Sequence, residues 1–172
     1  MTTPKHILVP IDHSLFSLAA LQYAEEVAKL FQARITVLHV MERAERQAGG
    51  TDLRSREKTE TSVADRMRGQ ISNLLIEYNL VPQSLRIEIR SGHADREILA
   101  CARELHVDLI VMSTHGRTGL RHVLIGSVAE KIVRSARCPV LTVKPEEFRE
   151  LVDLTENDVS DSLHIVRGEQ EN

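Results

Sequence analysis

The sequence predicts one α/β domain, a doubly wound sheet of five parallel strands with helices on both faces. Three observations predict it. Five short apolar, β-branched runs recur along the chain, a helical pattern lies between each consecutive pair, and the resulting β-α-β-α-β-α-β-α-β order calls for crossover connections. The 172 residues suit a single domain with a sizeable core.

His6-Ile-Leu-Val-Pro-Ile11 reads as a buried first strand, followed at once by Asp12-His-Ser14. The first helix then runs from Leu15 to Phe31, capped by Ser14 or Asp12, with Leu15, Leu18, Ala19, Val27, Ala28, Leu30 and Phe31 as its core-facing stripe. Arg34 to Val40 reads as strand 2. Glu42 to Glu60, charged and carrying Gly49-Gly50, reads as a long connection, either a flap near the ligand crevice or a solvated loop. Helix 2 is placed from Glu60 to Tyr78, with Val63, Met67, Ile71, Leu74, Leu75 and Tyr78 inward. Leu85 to Arg90 alternates as strand 3, and Ala94 to Leu105 is helix 3, with Ile98, Leu99, Ala102 and Leu105 inward. Asp108 to Met112 is a fully buried strand 4. Helix 4 follows as Val128 to Arg134, with Ser127 as its N-cap, and Val140 to Val143 closes the sheet.

Residues 1–145 form the domain on this reading, and 146–172 a separate extension. The extension carries nine acidic residues against Arg149 and Arg167, a net charge of -7, which leaves +4 on the first 145 residues. It reads as a solubilising tail, or as a segment that touches the basic face or a partner and modulates an anion site.

Several functional classes are excluded by pattern. No apolar run is long enough for a membrane span or a signal peptide, so the expectation is a cytoplasmic protein without a membrane partner. Cys101 and Cys138 show no disulfide or zinc spacing, and the eight histidines form no His-Glu-x-x-His pattern. There is no Gly-x-x-x-x-Gly-Lys-Ser/Thr and no Gly-x-Gly-x-x-Gly after strand 1, which argues against a P-loop NTPase and a dinucleotide dehydrogenase. With 3% aromatic residues and no aromatic interleaving of its basic residues, the chain lacks a nucleic-acid face.

What remains is an anion-binding layout. Val111-Met-Ser-Thr-His-Gly-Arg-Thr-Gly-Leu-Arg-His-Val-Leu-Ile-Gly-Ser-Val128 leads from the carboxyl end of strand 4 through a polar loop to a helix start. Unpaired N–H groups and the positive end of the helix dipole favour a phosphate there, a glycine admits it to the backbone, and Arg117 adds a forked cation. The competing reading gives Gly116, Gly119 and Gly126 only turn and spacing roles. Asp12 also has two readings, as a capping residue, or as a carboxylate that accepts from ribose hydroxyls or holds a hydrated divalent cation beside a triphosphate. His13 and His115 border the same region, where either contacts phosphate or is a solvated loop residue.

The pattern resembles the universal stress protein family over residues 4–145. The family signature is a glycine, two residues, a glycine, nine residues, then glycine followed by Ser or Thr. Here it reads Ser113-Thr-His-Gly116, nine residues from Arg117 to Ile125, then Gly126-Ser127, with Ser113 in place of the first glycine. The opening Ile-Leu-Val-Pro-Ile-Asp-His-Ser, Leu-His-Val in strand 2, Asp-Leu-Ile-Val-Met before the loop and Cys-Pro-Val-Leu-Thr-Val at the close extend the match.

The resemblance implies an adenine nucleotide α-hydrolase-like sheet in the order 3-2-1-4-5, whose switch point between strands 1 and 4 brings Asp12 and the Ser113–Ser127 loop together. It implies ATP, or another adenine nucleotide, with Mg or Mn. Pro10, Ile11, Asp12 and Val40 would surround adenine and ribose, with Val40 backbone groups reading the base edge. Met112 and Ser113 would lie beneath the nucleoside, and His115, Gly116 and Arg117 would approach ribose and phosphates. Gly126, Ser127 and Val128 would close on the phosphates. A homodimer through strand 5, antiparallel across a two-fold axis, is implied as well. The expected role is a nucleotide-dependent stress-response or signalling module with an unknown protein partner, and any hydrolysis slow because no base for water is visible. The alternatives are a nucleotide-independent dimeric interaction or protective protein, and a slow ATPase.

Overall fold

The computed structural model describes residues 3–41, 53–80, 85–114 and 125–144, with 53–61 as backbone alone. Its order is β1 (His6–Ile11), α1 (Leu15–Phe31), β2 (Arg34–Met41), α2 (Leu53–Glu77), β3 (Leu85–Ser91), α3 (Ala94–Glu104), β4 (Leu109–Ser113), α4 (Ser127–Ser135) and β5 (Val140–Val143). The five strands form one parallel sheet in the order β3-β2-β1-β4-β5, as expected.

Strand alternation sends the side chains of the sheet into two cores. Ile7, Val9, Ile11, Ile35, Val37 and Val111 pack with α1 and α2, while Leu8, Leu38, Val40, Ile110 and Met112 pack with α3 and α4. Strands buried on both faces carry no polar alternation, which is why β1, β2 and β4 read as continuous apolar runs. At the amino end of the sheet, Asp108 Oδ2 accepts from the Lys5 and His6 amides at 2.9 Å each, fixing β1 against β4. The His6 ring meets Thr36 Oγ1 at 2.8 Å and the Leu105 carbonyl at 3.1 Å; burial, with the Arg34 charge beside it, pushes its pKa down.

Three expectations are corrected. Helix α2 starts at Leu53 rather than Glu60. Its first residues, Leu53-Arg-Ser-Arg-Glu-Lys-Thr-Glu60, carry helix propensity in charged straight-chain residues but no apolar period. The inward face of α1 is Leu18, Ala20, Leu21, Ala24 and Ala28, with Ser17 and Glu25, whereas Leu30 is 78% exposed. That helix is apolar over most of its circumference, so the sequence does not single out one stripe. Finally, α4 is preceded by Gly126 as its N-cap, with Ser127 as the first helical residue. Smaller shifts of one residue occur at the ends of β2, α2, β3, α3 and β4.

Candidate functional site

Two chain ends meet where the sheet reverses direction. β1 pairs with β2 on one side and β4 on the other, and α1 and α4 leave their carboxyl ends onto opposite faces. A crevice at the carboxyl edge between β1 and β4 follows from that topology, and doubly wound sheets bind ligands at such a place.

At the β1 exit, Asp12 belongs first to the start of α1. Its Oδ1 accepts from the Ser14 amide at 3.0 Å and the Ser14 hydroxyl at 2.5 Å, while its own amide donates to Ser17 Oγ at 3.3 Å. Ser14 caps the helix, its Oγ accepting from the Ser17 amide at 3.2 Å, and Ser17 Oγ donates back to the Ser14 carbonyl at 2.8 Å. Asp12 is therefore a turn residue that supports the cap, Ser14 being the N-cap itself, and its carboxylate is held at the β1 exit. Pro10 and Ile11 are the last residues of β1.

Val40 lies one residue past the last β1–β2 pair, Ile11 with His39. The Arg34 amide donates to Lys5 O, so alternate residues of β2, ending with Val40, turn their backbone groups toward β1. The Val40 carbonyl is thereby directed past the end of β1, toward the bend at His13 and Ser14.

At the β4 exit, Met112 and Ser113 are buried in the final turn of the strand. Ser113 is not among the positive-φ residues, so the position of the first signature glycine has ordinary strand backbone here and accommodates a serine without strain. Thr114 then ties three elements: its amide donates to Val143 O at 3.1 Å, and its carbonyl accepts from the Gly126 amide at 2.7 Å. A Cβ on Gly126 would stand 3.2 Å from that carbonyl, so close approach, with φ at -66°, is what the glycine provides. The clasp sets the start of α4 beside the end of β4. Gly126 makes no side-chain cap, and the first intrahelical bond runs from the Glu130 amide to Gly126 O at 2.9 Å. The amides of Ser127, Val128 and Ala129 therefore have no acceptor within the helix, at the positive end of its dipole. His115, Gly116 and Arg117 lie outside the described residues, as do 42–52 and 145–172.

Sequence reasoning passed over Thr114, Ser17 and His39. The last had a signal, a lone imidazole in the apolar run Val37-Leu-His-Val-Met41. His39 is buried, with Nδ1 3.0 Å from Ile11 O, and its ring lies 4.6 Å from that of His13.

A parallel sheet of this order, with a helix start at its switch point that carries no side-chain cap among the described residues, defines a doubly wound α/β protein. The chain matches the Universal stress protein family over residues 3–144 and belongs to it. It is 33% identical over 144 residues to universal stress protein MJ0531 of Methanocaldococcus jannaschii, covering 81% of this chain and 82% of that one. Universal stress protein A homolog 1 of Coxiella burnetii is also 33% identical, over 83% of this chain and 98% of its own. Among solved structures, UspA from Lactobacillus plantarum superposes with a TM-score of 0.64 at 26% identity, over 83% of this chain and 99% of that chain. A universal stress protein in complex with cAMP superposes at 0.56 over 83% of this chain and 98% of that one, with 17% identity, a likeness of fold. No described helix is long and apolar enough to cross a membrane.

Proposed function

We propose that this chain binds ATP, or another adenine nucleotide, in the crevice between β1 and β4, and serves as a nucleotide-dependent stress-response or signalling module. The observation that carries the reading is the start of α4: without a side-chain cap among the described residues, clasped to β4 through Gly126 and Thr114, and set across the switch point from Asp12. The phosphates would take the Ser127 and Val128 amides, and the nucleoside would lie over Met112 and Ser113 against Pro10, Ile11 and Asp12. The Val40 carbonyl would accept from the exocyclic amine of adenine. His115, Gly116 and Arg117 would approach the ribose and phosphates from the loop. That a protein of the same fold is seen in complex with cAMP supports an adenine ligand at the level of the fold.

The divalent ion, Mg or Mn, is read as arriving with the triphosphate. Among the described residues no group of three His, Cys, Asp or Glu side chains is placed to hold a metal, and one Asp12 oxygen is engaged by Ser14. A contribution from Asp12 would thus be made through nucleotide or water, consistent with the few protein ligands magnesium commonly takes. The role is binding rather than turnover, in the cytoplasm, as a homodimer through β5.

Denaturing freshly purified protein and identifying the released nucleotide by mass spectrometry tests this, with a Gly126→Val, Ser127→Ala double variant as the obstructed control. Near-stoichiometric ATP that is lost in the control is the expected result. An empty protein that takes up no ATP with magnesium would overturn the reading and favour an interaction protein that works without nucleotide.

A further inference from the structure

His39 is a polar side chain at a position buried within the sheet. It lies in β2 two residues before its end at Met41, 2% exposed, and its Nε2 is buried with no hydrogen-bond partner among the described residues. Its Nδ1 lies 3.0 Å from the Ile11 carbonyl. A carbonyl only accepts, so the proton sits on Nδ1 and the orphan Nε2 is a bare lone pair. A buried polar atom left unsatisfied asks for a reason, since a leucine of similar bulk would leave none.

The reason lies in what the imidazole holds. The Ile11 carbonyl is half of the planar peptide unit that ends in the Asp12 nitrogen; the β1–β2 ladder turns the Val40 amide to the same oxygen, and the imidazole adds a second donor that helps fix the plane from which Asp12 departs. On the other side of Asp12, His13 adopts a left-handed backbone, with φ at 67°, an uncommon state for a residue with a side chain. Its ring rests on His39, with centroids 4.6 Å apart and planes tilted by 36°. One imidazole thus braces the residue before Asp12 and the residue after it. Ser14 and Ser17 then fix the Asp12 carboxylate and amide.

We infer that His39 is the positioning residue of the site, setting the direction of Asp12 through the Ile11 carbonyl and the His13 ring. The inference rests on the reading that Asp12 faces a nucleotide. His39 itself is buried, with its ring against that of His13.

The test uses the full chain and two substitutions. His39→Asn keeps an N–H near the position of Nδ1 while deleting Nε2 and the ring, whereas His39→Leu fills the space without a donor. Amide hydrogen exchange by NMR is read at Asp12 and Ser14 against Val9 and Ile110 in the sheet, and ATP affinity is read by calorimetry. With His39→Leu, exchange at Asp12 and Ser14 should rise about tenfold while Val9 and Ile110 stay within about threefold. ATP affinity should fall about tenfold with His39→Leu and recover in part with His39→Asn, which restores the donor to Ile11 but not the ring against His13. Unchanged exchange in His39→Leu, a rise shared equally by Val9 and Ile110, or an asparagine variant no better than leucine would overturn the positioning role. If the parent binds no ATP but Asp12 and Ser14 respond as described, the nucleotide reading fails and the bracing of Asp12 by His39 stands.

Discussion

Gly126 is a residue whose need for a hydrogen in place of a side chain can be stated in ångströms. Its amide holds the Thr114 carbonyl at 2.7 Å, and an added Cβ would meet that same oxygen at 3.2 Å. The oxygen would have to give by a few tenths of an ångström, which stretches the clasp. Gly126→Ala should therefore lower stability by about 1 kcal/mol, the order of losing a good N-cap, and weaken ATP binding with it. Gly69 supplies the contrast, since it lies within α2 with nothing within 4 Å of a built Cβ. Gly69→Ala should raise stability by roughly 0.5–1 kcal/mol through helix propensity alone. Urea unfolding of both variants checks the pair, and a loss at Gly69 or none at Gly126 would contradict the close-approach argument. Spacing in the sequence already marked Gly126, Ser127 and Asp12. It gave no sign of the Thr114 bridge or the brace from His39, because both depend on residues more than ten positions apart meeting at strand ends.

Among the elements, α1 carries the clearest conflict between burial and charge. Glu25 lies on its inward face, 8% exposed, with Oε1 buried and unpartnered among the described residues. Burial raises its pKa; nearby Lys29 opposes this in part, and Glu26 adds to it. A carboxyl raised in the folded state holds its proton more tightly than the unfolded chain does. Its contribution is complete below the unfolded value near 4.5 and is lost as pH climbs through the raised native value. Glu25→Gln removes that loss, so the variant should gain on the order of 1 kcal/mol over the parent at pH 8 and much less at pH 4. Urea midpoints at the two pH values decide it, and an equal difference at both would mean that ionisation is not the cause. The same helix shows why element faces were harder to read than element positions. Leu30 and Phe31 count as apolar in any periodicity, yet the sheet meets the Leu21 side, where small Ala20, Ala24 and Ala28 let the helix sit close. Strands were legible because burial on both faces leaves an unbroken apolar run. The start of α2 was not, because a solvated charged turn has no period to reveal it.

At the scale of the whole molecule, β5 is one of the two edge strands of the sheet. The Pro139 and Val143 carbonyls accept from Ile110 and Thr114 of the β4 side, so by alternation Val140 and Thr142 turn their backbone groups outward. An apolar edge with outward N–H and C=O groups is a template for another strand unless something covers it. In the homodimer proposed here, a second copy supplies that strand in antiparallel pairing, continuing the sheet across the two-fold axis. Thr142→Pro isolates this contact, because it deletes one outward N–H and leaves the β4-facing bonds of Pro139 and Val143 in place. Light scattering should give the mass of a dimer for the parent at micromolar concentration and that of a 19.4 kDa monomer for the variant. Because Thr114 joins β5 to the start of α4 through Val143 O and Gly126 N, pairing at this edge would also stiffen the wall of the crevice. The variant should for that reason bind ATP more weakly without any change in the residues facing the nucleotide. A parent that scatters as a monomer, or a proline variant that remains dimeric, would remove β5 as the interface.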